Sequence, residues 1–300
     1  MGENSKRSYF VSGASGPFGR KVIEALQVRG ARVIAGARDP GALADLGVEV
    51  RACDYDKPET LPPALSGVDR VLLVSSNAVG RRVPQHAAVI DAAVAAGCEH
   101  FAYTSILHGL ESPLALAEEH KATERYLLAS GLSHTILRNA WYSENFEPNF
   151  GAAVGQGAIA TAAGEGRFAP ALRAELAEAA AVRLIEAELP SSEVLELAGS
   201  TSFSMPELAQ ALSARLGKQV DCIHMGGDAY AEMLTGFGIP AMFAEILADS
   251  ETKAVLGAHV EGGKALERLI GRPTKGLTEL VDIWFTAAQV APTTSAQLEG

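Results

Sequence analysis

Short apolar runs alternate with amphipathic stretches along residues 8–138, which predicts strands that alternate with helices. Arg70–Ser75 is a continuous aliphatic run, as expected of a central parallel strand. The predicted strands are Ser8–Ser12, Arg32–Ala37, Val48–Ala52, Arg70–Ser75, His100–Ser105 and Thr135–Arg138. The predicted helices are Pro17–Arg29, Pro58–Leu65, Arg82–Ala96 and Ala115–Ala129. This βαβα order indicates an α/β fold, a Rossmann-type doubly wound parallel sheet with helices on both faces.

The pattern changes after residue 139. Gly151–Gly166 is rich in glycine and alanine and is predicted to be a loop, apart from a short strand at Ala158–Thr161. The helices predicted beyond it are Arg173–Glu188, Pro206–Leu216, Asp228–Phe237, Ala241–Leu247 and Leu277–Ala288. The strands predicted there are Val194–Ala198 and Val220–His224. We therefore expect a Rossmann domain over 1–150, a smaller, mostly helical lid or substrate domain over 151–290, and a disordered tail over 291–300. Whether strands of the second half join the sheet stays open.

Composition narrows the class of protein. The chain has 300 residues, 48% of them hydrophobic, and a formal net charge of −11, which argues against a nucleic-acid surface because such surfaces need clustered Lys and Arg. Residues 1–8 lack the apolar core of a signal peptide, and no apolar run reaches the roughly 18 residues of a membrane span. Neither the three cysteines nor the seven histidines show metal-ligand spacing. We expect a cytoplasmic enzyme without a metal, a nucleic-acid partner or a membrane partner, and a homodimer is left open.

Residues 13–19 read Gly-Ala-Ser-Gly-Pro-Phe-Gly, directly between a predicted strand and a predicted helix. Gly13 allows a sharp turn out of the strand, Gly16 lets backbone N–H groups approach a pyrophosphate, and Gly19 allows close packing of the helix. The start of the helix adds partial positive charge. The alternative is an ordinary glycine-rich turn. The context predicts a dinucleotide site that also includes the residues between the glycines, namely Ser15, Pro17 and Phe18.

The end of the second strand indicates which dinucleotide binds. NAD-binding sites usually carry a carboxylate there, which holds the adenosine ribose and repels a 2′-phosphate. Here Arg38 stands at that place and offers a fork of donors to the phosphate, while Asp39 is expected to point away. The sequence therefore favours NADPH over NADH, with a solvated loop arginine as the alternative.

Polar residues follow the other strands. Asp54 is a candidate adenine contact, or else a turn aspartate. Further along the predicted edge stand residues expected near the ribose and nicotinamide half of the cofactor, because ligands collect at the carboxyl ends of parallel strands. These are Ser75, Ser76, Asn77 and Thr104.

Several segments together resemble the NmrA-like atypical short-chain dehydrogenases, and within them the type 2 NAD(P)H:quinone oxidoreductases. The matching segments are GASGPFGR at 13–20, ARDP at 37–40, VSSNAVGRRVPQH at 74–86, FAYTSILH at 101–108, SPLALAEEHKATE at 112–124 and LRNAWYSENF at 137–146. The resemblance implies NADPH-dependent reduction of a quinone. Relatives of this group also include reductases of triphenylmethane dyes and a transcription regulator that senses dinucleotides without turnover.

The main short-chain dehydrogenase branch protonates its substrate with a tyrosine and a lysine on one helix. In this chain the matching positions are Leu116 and His120, so alcohol dehydrogenase chemistry is in doubt. A quinone tolerates this loss, since hydride transfer produces a phenolate that needs only hydrogen bonds. We expect His120 to donate a proton or hold the nicotinamide ribose. The alternative is a partly buried histidine paired with Glu124, one helical turn further on.

The segment after the sixth strand is expected to cross the nicotinamide end of the site. Asn139 and Tyr142 offer hydrogen bonds to a quinone oxygen, and Trp141, Tyr142 and Phe146 offer flat surfaces for a planar substrate. The alternative is aromatic packing between the two domains. The resulting hypothesis is an NADPH-dependent reductase of quinones or related polycyclic aromatics, with His120, Tyr142 and Asn139 as catalytic candidates. A tailoring reductase of an aromatic polyketide pathway and an NADP(H) sensor without turnover are the competing hypotheses.

Overall fold

A computed structural model describes residues 7–290 of the chain. The predicted tail at 291–300 lies outside the described residues. Within them, a seven-stranded sheet with the order β3-β2-β1-β4-β5-β6-β9 forms the centre of the molecule, and all of its neighbouring strands are parallel. Its strands are β1 (Ser8–Val11), β2 (Arg32–Ala37), β3 (Glu49–Ala52), β4 (Arg70–Leu73), β5 (His100–Ile106), β6 (His134–Asn139) and β9 (Ser192–Leu197). This order confirms the predicted doubly wound Rossmann-type fold.

Helices cover both faces of the sheet. One face buries a core built with α1 (Pro17–Val28), α6 (Arg173–Ile185) and α10 (Ala265–Ile270). The other face buries a core built with α2 (Leu61–Leu65), α3 (Arg82–Ala96) and α4 (Ala117–Ala129). Buried residues of α1 recur at Val22, Ile23 and Leu26, the spacing of one helix face.

The remaining elements form a second, smaller lobe. Its core includes the buried rings of Phe150, Phe168, Phe203 and Trp284. The strands of this lobe pair as β7 (Ala158–Thr161) with β11 (Asp221–His224) and β8 (Arg167–Phe168) with β10 (Phe203–Ser204). The helices of this lobe are α5 (Glu147–Gln156), α7 (Met205–Leu216), α8 (Gly227–Gly236), α9 (Ala241–Thr252) and α11 (Leu277–Val290). No helix within residues 7–290 is long and apolar enough to cross a membrane.

The chain passes between the two parts more than once. β9, α6 and α10 come from beyond residue 150 and yet belong to the layers of the large sheet, where β9 pairs with β6 over its whole length. Strands of the second half therefore do join the sheet. The division of the chain into domains at residue 150 stays a prediction.

The prediction of a loop at Gly151–Gly166 was wrong over residues 151–156. Residues 147–156 form α5, with Pro148 in its first turn and Gly157 as its left-handed C-cap. Two glycines weaken the local helix propensity, but Phe150 and Ala153 are buried in the core of the second lobe, and that packing outweighs propensity. The short helix α10 was also not predicted.

Candidate cofactor and substrate site

The turn between β1 and α1 has the geometry of a phosphate-binding turn. Gly13 has a φ of +59°, which favours glycine, and the Gly16 N–H donates to the Gly13 carbonyl at 3.0 Å. A Cβ on Gly19 would lie 2.5 Å from the Gly13 oxygen, so a side chain there would push the helix off the turn. The N-cap residue of α1 is Gly16, which has no side chain to cap the first N–H groups, and this leaves them available to an anion.

The intervening residues divide by exposure. Ser15 and Pro17 are exposed beside the turn, whereas Phe18 is buried. The Phe18 ring stacks against Tyr142 with ring centroids 6.1 Å apart. Phe18 thus connects the glycine turn to the segment after β6.

Arg38 is exposed directly after β2 and makes no hydrogen bond or ion pair with any described residue. Asp39 instead accepts a hydrogen bond from the Gly41 N–H at 2.9 Å and caps the short 3₁₀ helix Pro40–Leu46. A guanidinium without a protein partner can bind a phosphate, and the carboxylate beside it is already engaged.

The segment after β3 supports the turn reading of Asp54 and shows a residue that the sequence reasoning missed. The Asp54 carboxylate accepts from the Asp56 N–H at 3.1 Å and lies 3.7 Å from the Lys57 ammonium. Tyr55 reaches beneath the glycine turn, where its hydroxyl donates to Ser12 Oγ at 2.5 Å. Its aromatic character was the only signal available in the sequence.

The loop after β4 is held by three side chains from two neighbouring elements, β5 and α3. The Ser75 N–H donates to Thr104 Oγ1 at 2.8 Å, and the Ser76 N–H donates to His86 Nε2 at 3.0 Å. Arg82 Nε donates to the Ser76 carbonyl at 2.6 Å. The predicted ligands Ser75, Ser76 and Thr104 are therefore brought together, and Asn77 is exposed at the tip of the same loop.

Two of those supporting residues, His86 and Arg82, were also missed. Arg82 is buried, its pKa is lowered by burial, and its Nη1 atom is enclosed without a partner among the described residues. Burial, aided by the Arg82 charge, lowers the pKa of His86 to about 3, so this imidazole is neutral and accepts the Ser76 N–H.

His120 lies buried on α4, and its partner differs from the expected one. Its Nδ1 lies 2.7 Å from the hydroxyl of Tyr103, which is fully buried on β5. Glu124 instead forms a bidentate ion pair with Arg138 at 2.7 and 3.0 Å and accepts from Ser105 Oγ at 2.6 Å. The alternative pairing of His120 with Glu124 was therefore wrong, because a guanidinium from β6 occupies the carboxylate.

The electrostatics of His120 limit what it can do. Burial, followed by the charge of Arg82 and the nearby His86, lowers its pKa to about 3. The side chain is neutral at physiological pH, so it can donate an N–H hydrogen bond but is not an imidazolium acid.

Asn139 ends β6 as a buried amide. Neither its Oδ1 nor its Nδ2 makes a hydrogen bond of acceptable geometry within the described residues, although the side chain is only 5% exposed; the Tyr142 hydroxyl is a near polar neighbour, and the amide opposes the rise in the pKa of that hydroxyl. Such an unsatisfied amide costs folding free energy, about 1–3 kcal/mol for each buried polar group. A bound ligand that supplies the missing partners would remove this cost.

The two aromatic residues that follow point to different parts of the molecule. Tyr142 lies between Phe18 and the guanidinium of Arg173, which is 4.6 Å from the Tyr142 ring centroid, and burial raises its pKa. Trp141 packs edge-on to His259 with centroids 5.3 Å apart, on the side of the second lobe. Tyr142 is thus placed for the dinucleotide half of the site and Trp141 for an acceptor.

Apart from His120 on α4, the predicted site residues lie at or just beyond the carboxyl ends of neighbouring parallel strands, the edge where open α/β sheets bind ligands. Three observations fit a phosphorylated dinucleotide there. Among residues 7–290, the start of α1 has no side-chain cap from its N-cap residue, Arg38 has no hydrogen-bond or ion-pair partner, and the Asn139 amide makes no hydrogen bond of acceptable geometry. The residues present can therefore hold NADPH.

Comparisons with known proteins agree with this geometry. A family model described as NAD(P)H-binding matches residues 13–189. Quinone oxidoreductase 2 of Escherichia coli is 43% identical over 280 residues, which make up 92% of this chain and 98% of that protein.

Solved structures extend the comparison to three dimensions. The Escherichia coli NADPH-dependent quinone oxidoreductase QOR2 complexed with NADPH matches with a TM-score of 0.89 and 41% identity, over 92% of this chain and 99% of that chain. The Citrobacter sp. triphenylmethane reductase complexed with NADP(H) matches with a TM-score of 0.87 and 34% identity, over 92% of this chain and 99% of that chain. The resemblance inferred from the sequence motifs is confirmed. The chain therefore belongs to the NAD(P)H-binding family, together with quinone oxidoreductase 2 of Escherichia coli, and shares the Rossmann-type fold of that enzyme.

Proposed function

We propose that this protein is an NADPH-dependent reductase of quinones or related polycyclic aromatic compounds. The observation that carries the proposal is the likeness, over nearly the whole chain, to an Escherichia coli quinone oxidoreductase whose structure was solved with NADPH. The free Arg38 guanidinium supports NADPH in particular, because it can pair with a 2′-phosphate.

In this proposal the chain binds the cofactor along the sheet edge. The glycine turn and the uncapped start of α1 receive the pyrophosphate, and Arg38 receives the 2′-phosphate. Thr104 and His86 hold the loop after β4, so Ser75 and Ser76 present a fixed backbone to the cofactor. Asn139 offers its amide to the nicotinamide end.

NADPH supplies a hydride, and the quinone takes up that hydride and one proton to become a hydroquinone. We assign the 2.7 Å contact between the Tyr103 hydroxyl and His120 Nδ1 as a hydrogen bond donated by the hydroxyl, which leaves the proton of the neutral imidazole on Nε2. His120 Nε2–H and the Asn139 amide then donate hydrogen bonds to the oxygen on which charge develops, and Arg82 adds positive charge behind them. Protons reach the phenolate from solvent, since His120 is not an acid at neutral pH.

The likeness to a quinone oxidoreductase over nearly the whole chain favours turnover over sensing. The polyketide-tailoring alternative stays a prediction, since neither of the two relatives named above is described as such an enzyme. Cytoplasmic location, a homodimer and the lack of a nucleic-acid partner also remain expectations.

The direct test is oxidation of NADPH by the purified protein, followed at 340 nm, with benzoquinone, naphthoquinone and anthraquinone acceptors. We expect acceptor-dependent turnover that is much slower with NADH. Tight NADPH binding without turnover on any acceptor would instead identify a sensor.

A further inference from the structure

The second lobe contains an apolar cavity that the reaction proposed above does not by itself require. It has a volume of about 490 Å³, within the range of about 300–1,000 Å³ usual for ligand sites. It lies between α5, the β7–β11 pair and the α8–α9 pair, and Trp141 forms part of its wall. A single quinone ring stacked near Trp141 would leave most of this space empty.

Helix α8 forms one wall of the cavity in an unusual way, because none of its residues, 227–236, is buried. Its apolar side chains recur at the spacing of one helix face, with Phe237 directly after the helix. The four larger side chains on this face line the cavity, and the Phe237 side chain is 65% exposed. These residues are Tyr230, Met233, Leu234 and Phe237. An apolar helix face that covers empty space gains its packing only when the space is filled.

The opposite wall of the cavity, helix α5, carries small residues on the side that faces the cavity. The cavity side of α5 carries Gly151, Ala152 and Gly155, and a Cβ added to either glycine would meet no atom within 4 Å. Glycine in a helix costs about 0.5–1 kcal/mol relative to alanine. The helix therefore gives up stability where larger side chains would narrow the cavity.

A buried carboxyl marks the inner wall. Glu251 borders the cavity, is 8% exposed, and has no cationic partner within the described residues. One of its oxygens accepts from Thr161 Oγ1 at 2.5 Å and from the Ala162 N–H at 3.2 Å. The other wall residues are mainly apolar, so a long ligand would meet hydrocarbon along most of its length.

We propose that this cavity holds an extended apolar substituent of the acceptor, so that the substrates are alkyl-substituted or polycyclic quinones rather than single-ring quinones. The inference rests on the proposed function and narrows its substrate class. Trp141 places the cavity next to the cofactor edge, because it follows β6 two residues after Asn139 and also lines the cavity. The quinone ring lies at Trp141 and the substituent extends between α5 and α8.

The test uses 2-alkyl-1,4-naphthoquinones from methyl to hexyl with NADPH. Each added methylene is expected to raise kcat/KM by up to about fourfold until the cavity is filled. Two variants narrow the cavity from opposite walls, namely Gly155→Leu and Met233→Trp. Each should remove most of the rise in kcat/KM with chain length. Each should leave turnover of the methyl compound within about twofold of the wild-type value. Gly236→Leu is the matched control, since its Cβ also meets open space but Gly236 does not line the cavity. It should keep the wild-type dependence on chain length.

Unchanged chain-length dependence in folded Gly155→Leu and Met233→Trp would overturn the proposal. A binding measurement separates this result from failure of the proposed function. The hexyl compound, added without NADPH, should raise the Tm of the wild-type protein and of Gly236→Leu. It should not raise the Tm of Gly155→Leu or Met233→Trp, whose larger side chains occupy the cavity. A rise in the wild-type Tm on addition of the hexyl compound, without turnover, would refute quinone reduction and support the cavity as a ligand site. Turnover of the methyl compound, with no rise in Tm on addition of the hexyl compound in any of the four proteins, would refute the cavity site alone.

Discussion

At the scale of single residues, the site is marked by groups that the folded chain leaves without partners. Within the part of the chain that the structure describes, Asn139 is buried with neither amide atom in a well-formed hydrogen bond, and Arg38 is exposed with no ion-pair partner. Native proteins satisfy nearly all buried polar groups, so such an exception indicates a missing ligand. His120, by contrast, has a partner within the protein. That partner is Tyr103 and not Glu124, the alternative that helix spacing suggested.

Replacement of Asn139 separates a binding role from a structural one. We expect Asn139→Leu to leave the free energy of unfolding of the apo protein unchanged or higher, because an unsatisfied amide is removed. The variant should lose about 10- to 100-fold in kcat/KM, since two ligand hydrogen bonds of about 0.5–1.5 kcal/mol are lost. Urea unfolding and steady-state kinetics give the two values.

Thr135→Val on the same strand provides the contrast for Asn139. Thr135 is buried and its Oγ1 lies 2.9 Å from His100 Nε2, so its hydroxyl has a protein partner. This variant should lose stability and keep its activity. A loss of stability in Asn139→Leu as large as that in Thr135→Val would contradict the assignment of Asn139 to a ligand.

Arg38→Ala tests the choice of cofactor. The KM for NADPH should rise about 10- to 100-fold, because hydrogen bonds to a charged group contribute about 1.5–3 kcal/mol, while the KM for NADH should hardly change. Arg32→Ala, at the other end of β2 and 3.8 Å from the Glu49 carboxylate, is the control and should affect neither cofactor. Equal loss with both cofactors would show that Arg38 does not bind the 2′-phosphate.

At the scale of elements, local geometry and long-range packing determine different features. The turn before α1 depends on contacts within a few residues, so the sequence predicted it. Helix α5 depends on Phe150 and Ala153, which pack against distant parts of the second lobe, and a local pattern with two glycines predicted a loop instead.

Gly19→Ala is expected to disrupt the turn together with the start of α1. The added Cβ would lie 2.5 Å from the Gly13 oxygen and 2.9 Å from Ala14 Cα, both backbone atoms that cannot move independently. We expect a lower Tm and at least a tenfold weaker affinity for NADPH, measured by thermal unfolding and by fluorescence titration. Gly236→Ala meets no such contact and should keep both properties.

At the scale of the whole molecule, four buried histidines connect stability to pH. Burial lowers the pKa of His86 and His120 to about 3 and that of His100 and His259 to about 4, against 6.5 in the unfolded chain. Between these values the unfolded state binds more protons than the folded state, so stability rises with pH and falls as pH drops below about 6.5. Each histidine contributes up to about 1.4 kcal/mol for each pH unit in that window.

The free energy of unfolding, measured in urea between pH 5 and 6.5, should therefore decrease steeply toward acid. His100→Gln should make the slope shallower by about one proton, because glutamine can bond to Ser133 and Thr135 without titrating. Equal slopes in wild type and His100→Gln would show that the buried imidazole does not titrate differently on unfolding.

The sequence by itself determined the order of strands and helices over residues 8–138, the parallel sheet, the glycine turn and the place of Arg38. Those features follow from local periodicity and from the rule that parallel strands end at one edge. Tertiary structure alone decided that Tyr103 contacts His120 and that Arg138 forms an ion pair with Glu124. It also decided that β9 joins the sheet and that α5 lines a cavity. Each of these depends on contacts between residues far apart in the chain, where several partners compete for one group, and local spacing carries no information about which partner is nearest.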